Sequence, residues 1–178
     1  MHCLHKILVY IPDVVWNETL ERDELIDNIR SFAESETERF SDKVFDYRSE
    51  NYSAGGWNDE YPTNVLFAAD DVDRFVEELE EVTRDQRQEL SILLSSIEKN
   101  VGTDLNEIVK RLFTDEPDDL STVGYCLKCV SGLLYGEYSF DSGFYNTHDY
   151  TSRIYSRDIE LIRESPESWA LVMLDYHI

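Results

Sequence analysis

Eight residues close to the N-terminus, Leu4 to Ile11 (LHKILVYI), form an apolar, β-branched run closed by Pro12. This run predicts a buried strand, and a buried strand requires both neighbours to pair with and helices to cover it. Two further runs qualify as strands, TNVLFAA (63–69) and WALVMLDYH (169–177), with weaker candidates at KVFDY (43–47) and SRIYS (152–156). Between them lie segments with helical spacing. NETLERDELIDNIRSFAESETERF places Leu25, Ile26, Ile29, Phe32 and Ala33 on one side, with Asn17 or Thr19 as N-cap. A second helix starts at Asp70 as cap and turns Val72, Phe75, Val76, Leu79 and Val82 inward. A third carries Leu90, Leu93, Leu94 and Ile97. A fourth, after Gly102-Thr103, carries Leu105, Ile108, Val109, Leu112 and Phe113. Pro117 opens a fifth, with Leu120, Val123, Leu127, Val130 and Leu134 inward, and RDIELIRES forms a short sixth. The expected fold is α+β (mixed α/β): a small sheet of three to five strands with four to six helices. One acidic domain spans 1–178, and its helical middle, 70–135, is able to form a subdomain.

Charge decides which functions fit. The chain has 38 acidic against 16 basic residues, a formal net charge of −22. Such a field repels nucleic acid and anionic lipid and attracts basic surfaces, so the expected partner is a basic protein, with neither direct nucleic-acid nor membrane binding. Solubility and adaptation to high salt are the competing explanations; only five lysines are present, Lys6, Lys43, Lys99, Lys110 and Lys128. With 42% hydrophobic and 12% aromatic residues, the composition is that of a folded chain and not of a disordered one. The N-terminus lacks a basic stretch followed by a long apolar run, so the expected location is the cytoplasm, with Cys3, Cys126 and Cys129 reduced.

Chemical motifs are sparse. Cys126 and Cys129 (CLKC) have redox or zinc spacing, but they fall within an expected helix and no second pair completes a zinc site, so they read as small packing residues. His2, Cys3 and His5 would approach His177 if the first and last strands paired, yet a strand sends His2 and His5 to opposite faces. His148 beside Asp149 resembles a base with its orienting partner, without a nucleophile to activate. Neither a phosphate loop, a nucleophile elbow, an EF-hand nor a metalloprotease helix occurs, and the expectation is a protein that is not an enzyme and uses no cofactor or metal. The segment Tyr135 to Tyr155 is rich in rings, among them Phe144 and Tyr145, and offers an alternative protein-contact surface. A small metal-dependent hydrolase using His148 or Cys126 and Cys129 is the more distant alternative.

The densest acidic stretch is DDVDRFVEELEEVTRDQRQEL (70–90), with nine carboxylates against three arginines. The contact expected for a basic partner is Asp70, Asp71, Asp73, Glu77, Glu78, Glu80, Glu81 and Asp85, with a second row at Glu24, Asp27, Glu34 and Glu38. Like charges one turn apart cost a few tenths of a kcal/mol per pair, a cost that a face made for stability alone would avoid by alternating with lysine. Rows of carboxylates instead match the clefts with which proteins grip the phosphate backbone. Two segments, DQRQELSILLSSIEKN (85–100) and YSRDIEL (155–161), resemble parts of the ArdA-type antirestriction proteins, acidic DNA mimics carried by mobile elements. That resemblance implies a phage or mobile-element inhibitor that occupies the DNA site of a defence nuclease of the restriction or CRISPR type.

Overall fold

The computed structural model describes residues 2–15, 20–45, 47–48, 54–101, 104, 106, 110 and 121–177. In chain order these form β1 (His2–Tyr10), α1 (Arg22–Glu38), the single turn α2 (Ser41–Val44), β2 (Tyr47–Arg48), β3 (Val65–Phe67), α3 (Val72–Val101), α4 (Ser121–Tyr135), β4 (Phe144–Asn146), α5 (Ser156–Glu164) and β5 (Trp169–His177). The fold is α+β with a small mixed sheet.

The last strand lies at the centre. β5 runs antiparallel to β1 over its whole length, from Tyr10↔Trp169 to His2↔His177, and its other edge takes β3 (Leu66↔Leu171) and β2 (Tyr47↔His177). β4 adds parallel to the far edge of β1, through Lys6↔Phe144 and Leu8↔Asn146. Helices cover both faces, and for this reason β1 and β5 read as mostly apolar runs, interrupted by His5, Lys6 and Asp175, and not as alternations. On one face Ile7, Val9, Val172, Leu174 and Tyr176 pack with Ile29 and Ala33 of α1. On the other, Leu8, Leu171 and Met173 pack with Phe75, Val76, Leu79 and Val82 of α3 and Ile162 of α5. A third cluster, away from the sheet, joins Leu93 and Ile97 of α3 to Val123, Cys126, Val130 and Leu133 of α4.

Several expectations change. The helices expected at 70–82 and 90–97 are one 30-residue rod, about 45 Å long at 1.5 Å per residue. The linking segment Thr83 to Glu89 contains neither glycine nor proline, so nothing stops the helix there. Leu94 and Leu134, expected inward, are exposed; Leu133 takes the inner place on α4. The cap of α3 is Asp71 and not Asp70: the Arg74 N–H donates to Asp71 Oδ1 at 3.0 Å. SRIYS (152–156) forms no strand. The fourth strand is β4, inside the aromatic segment, three residues long and entered through Gly143 at φ 58°. An element that short carries no readable period. Of the strand expected at KVFDY, Lys43 and Val44 belong to α2, Asp46 lies outside the described residues and Tyr47 enters β2; the strand expected at TNVLFAA is reduced to Val65–Phe67. The expected caps Asn17 and Thr19, Gly102-Thr103, the helix carrying Leu105, Ile108, Val109, Leu112 and Phe113, and Pro117 with Leu120 lie outside the described residues.

Candidate acidic interface

The acidic residues around the start of α3 do different jobs, the cap at Asp71 being one of them. Glu78 sits at the margin of the helix's inner stripe and is buried. Its carboxylate accepts from Lys6 Nζ at 2.7 Å and from the Tyr61 hydroxyl at 3.0 Å. Lys6 reaches it from the α3-facing side of β1, where its neighbours two residues away are Leu4 and Leu8. It also holds Glu81, at 2.5 Å, and this contact draws the Glu81 carboxyl below its ordinary pKa. Burial, followed by the Glu78 charge beside it, pushes the Tyr61 hydroxyl up. Glu78 is therefore part of the core, which removes it from the expected contact surface; the helical period that brings Phe75, Leu79 and Val82 inward brings Glu78 in beside them.

Two others are exposed but paired. Asp70 accepts from Arg22 of α1, and Asp73 pairs with Arg163 of α5 at 2.9 Å. Asp73 is 84% exposed and its partner 48%, and pairs in such surroundings are worth about 0–1 kcal/mol, so both carboxylates remain exchangeable. Glu77, Glu80 and Asp85 are exposed and take no ion pair among the described residues. Beyond Glu81 the outward face changes sign, because Arg84 and Arg87 are exposed on either side of Asp85. The acidic part of α3 is thus its first three turns, about 16 Å from Asp70 to Glu81.

The second row splits in the same way. Glu24 and Asp27 are exposed near the start of α1, Asp27 with Arg30 at 3.3 Å. Glu34 and Glu38 lie about 15 to 21 Å farther along the helix, each with interactions of its own. α1 and α3 cover opposite faces of the sheet, yet their first turns meet at β3. There a cleft of about 470 Å³ is lined by Asp23, Asp70 and Asp71, by Arg22 and Arg74, and by the apolar Ile26, Phe67 and Phe75. The Arg22 guanidinium lies over the Phe67 ring, 3.9 Å from its centroid. The acidic residues that converge on it are therefore Asp23 of α1 and Asp70 and Asp71 before α3, while Asp73, Glu77 and Glu80 are exposed farther along α3.

The other candidates resolve individually. Cys126 is buried in the α3–α4 cluster, while burial, followed by a bond to Asp141, pushes the Cys129 thiol up to about 11, the reverse of what a nucleophile needs. The paired termini bring the His2 and His177 rings to 5.0 Å, and His2 Nδ1 contacts the buried Asp175 at 3.0 Å. His5 points to the other face and is fully buried against Tyr138, Phe140 and Tyr176. Among the described residues, no three His, Cys, Asp or Glu side chains are grouped to hold a metal ion. His148 is oriented by Asp13, at 2.9 Å, while Asp149 faces Arg157. In the aromatic segment Tyr138, Phe144 and Tyr145 are core, leaving Tyr135, Tyr150 and Tyr155 exposed.

The sequence reading missed Lys6, Tyr61, Arg22 and Phe67. Lys6 gave a signal, since a cation two residues from leucines on both sides of a buried strand demands a buried acid opposite. Arg22 and Phe67 gave none, because their meeting depends on where the first turn of α1 lies beside β3. No family model matches the chain, and neither the curated proteins nor the solved structures contain a significant match. The segment 85–100 falls in the later part of α3, and 155–161 enters α5.

Proposed function

We propose that this chain is a binding protein that presents a fixed acidic face to the basic, nucleic-acid-contacting surface of a partner and so stands in for a phosphate backbone. The observation that carries this reading is the run of exposed carboxylates along the start of α3, Asp73, Glu77 and Glu80, beside a cleft to which Asp23, Asp70 and Asp71 contribute. Along α3, Asp73, Glu77 and Glu80 fall on one stripe with about 5 to 6 Å between successive charges, and the helix holding them is anchored to the sheet by Phe75, Leu79 and Val82. Carboxylates held in place lose little conformational freedom when a cationic groove closes on them. The partner class is a nuclease of the restriction or CRISPR type, and the natural setting is a phage or mobile element. Among the described residues no helix is long and apolar enough to cross a membrane.

The test is displacement of duplex DNA from such nucleases by the purified chain across a salt series. The chain is expected to compete with DNA at low ionic strength and to lose its hold as salt rises over the range where the Debye length falls from about 30 to 8 Å. Binding that ignores both salt and reversal of Glu77 and Glu80 to lysine contradicts the reading.

A further inference from the structure

The cleft between α1 and α3 already holds a guanidinium, and it is the chain's own. Arg22 stacks on Phe67, with Cζ 3.9 Å from the ring centroid, and bonds the Asp70 carboxylate. A planar cation laid on an aromatic face with a carboxylate at its edge is the arrangement by which proteins take arginine over lysine, since an ammonium can neither stack nor present a flat fork of donors. The pair is weakly held: Arg22 and Asp70 side chains are 51% and 57% exposed, so water competes for both. At about 470 Å³ the cleft falls in the range of ligand pockets, roughly 300–1,000 Å³.

Two features oppose a cationic guest. Both helices aim their positive N-terminal ends at the cleft, and Arg74 shares it. The first is met at α3 by Asp71, which caps it through the Arg74 N–H, and at α1 by Asp23 and Glu24 in its first turn, leaving Asp70 for the guest. The second is met by Tyr61, toward whose ring the Arg74 guanidinium turns, at 6.0 Å.

We propose that this seat takes an arginine side chain of the basic partner, and that Arg22 is the resident which the incoming guanidinium replaces. The proposal rests on the acidic face being a partner-binding surface and adds the chemical identity of one contact.

The experiment is calorimetric titration of the full chain with a hexa-arginine and a hexa-lysine peptide at low salt, in the wild type, Arg22→Gln and Phe67→Leu. Arginine is expected to bind at least about threefold tighter than lysine, and Arg22→Gln to widen that ratio by vacating the seat. Phe67→Leu keeps the apolar volume and every charge, and should bring the ratio to about one. If that variant fails to fold, the Phe67 ring proton shifts in the wild type, moved by the arginine peptide and not by the lysine peptide, serve in its place. Equal affinities in the wild type and in Arg22→Gln overturn the seat, as does selectivity retained in Phe67→Leu. Equal affinities that both collapse in Glu77→Lys/Glu80→Lys leave the acidic face standing without the seat, whereas failure of both peptides to bind at low salt removes the acidic face as well.

Discussion

Glu77 and Glu78 are neighbours in the chain and opposites in the molecule. Glu77 is exposed and takes no ion pair among the described residues, while Glu78 is buried between Lys6 and Tyr61. A step of 100° around a helix separates a carboxylate available to a partner from one that the core cannot lose. The same division runs along the start of α3: Glu78, held by Lys6, belongs to the fold, whereas Asp73, Glu77 and Glu80 belong to the surface. Net charge alone does not distinguish them, whereas substitutions do.

The largest effect is expected at Lys6. Lys6→Ala strands Glu78 without its cation in the core, and urea unfolding should show a loss of about 3–5 kcal/mol. Lys6→Met combined with Glu78→Leu removes both charges and should recover most of it. A Lys6→Ala protein close to wild type in stability would place this pair with the exposed ones and break the contrast.

His5 is next, and it acts through pH. Burial holds its pKa down to about 3, against about 6.5 for an exposed histidine. Below pH 6.5 the unfolded chain takes up a proton that the folded chain refuses, so stability is complete above that pH and falls as the solution is acidified. The loss attributable to His5 should reach about 2 kcal/mol by pH 5. His5→Phe, placed among Tyr138, Phe140 and Tyr176, should flatten the difference in stability between pH 7 and pH 5. An unchanged slope would assign the acid sensitivity elsewhere.

Smaller effects separate the surface acids from one another. Asp71→Ala removes the cap of α3 and should cost about 1 kcal/mol, whereas Asp70→Ala, losing an exposed ion pair, should cost under about 0.5 kcal/mol. Equal costs would mean that the cap assignment is wrong. Smallest of all, Glu77→Gln and Glu80→Gln should leave stability within about 0.5 kcal/mol or raise it slightly, since each removes repulsion along the helix.

How much of this was legible in the sequence follows from the kind of interaction involved. Strands β1 and β5 and the helices α1 and α5 were readable, because apolar periodicity records burial directly. The break expected after Val82 was not real: two apolar stripes that meet different partners, the sheet and α4, resemble two helices although one rod carries both. β4 was hidden because three residues on an edge show no period. The acidic rows were visible as composition, but the core position of Glu78 and the pairing of Asp70 and Asp73 depend on Lys6, Arg22 and Arg163, which are remote in sequence. The seat made by Arg22, Phe67 and Asp70 needs the first turn of α1 brought beside β3, which no local pattern encodes.

The most direct test of the central claim compares equal changes of charge in different places. Asp73→Lys/Glu77→Lys/Glu80→Lys alters the face at the start of α3, and Glu98→Lys/Glu137→Lys/Glu167→Lys alters exposed positions away from it. In competition with duplex DNA for a restriction or CRISPR nuclease at low salt, the first triple variant is expected to lose at least about tenfold in affinity and the second no more than about threefold. Equal losses would show that only total charge is being felt and would contradict the account.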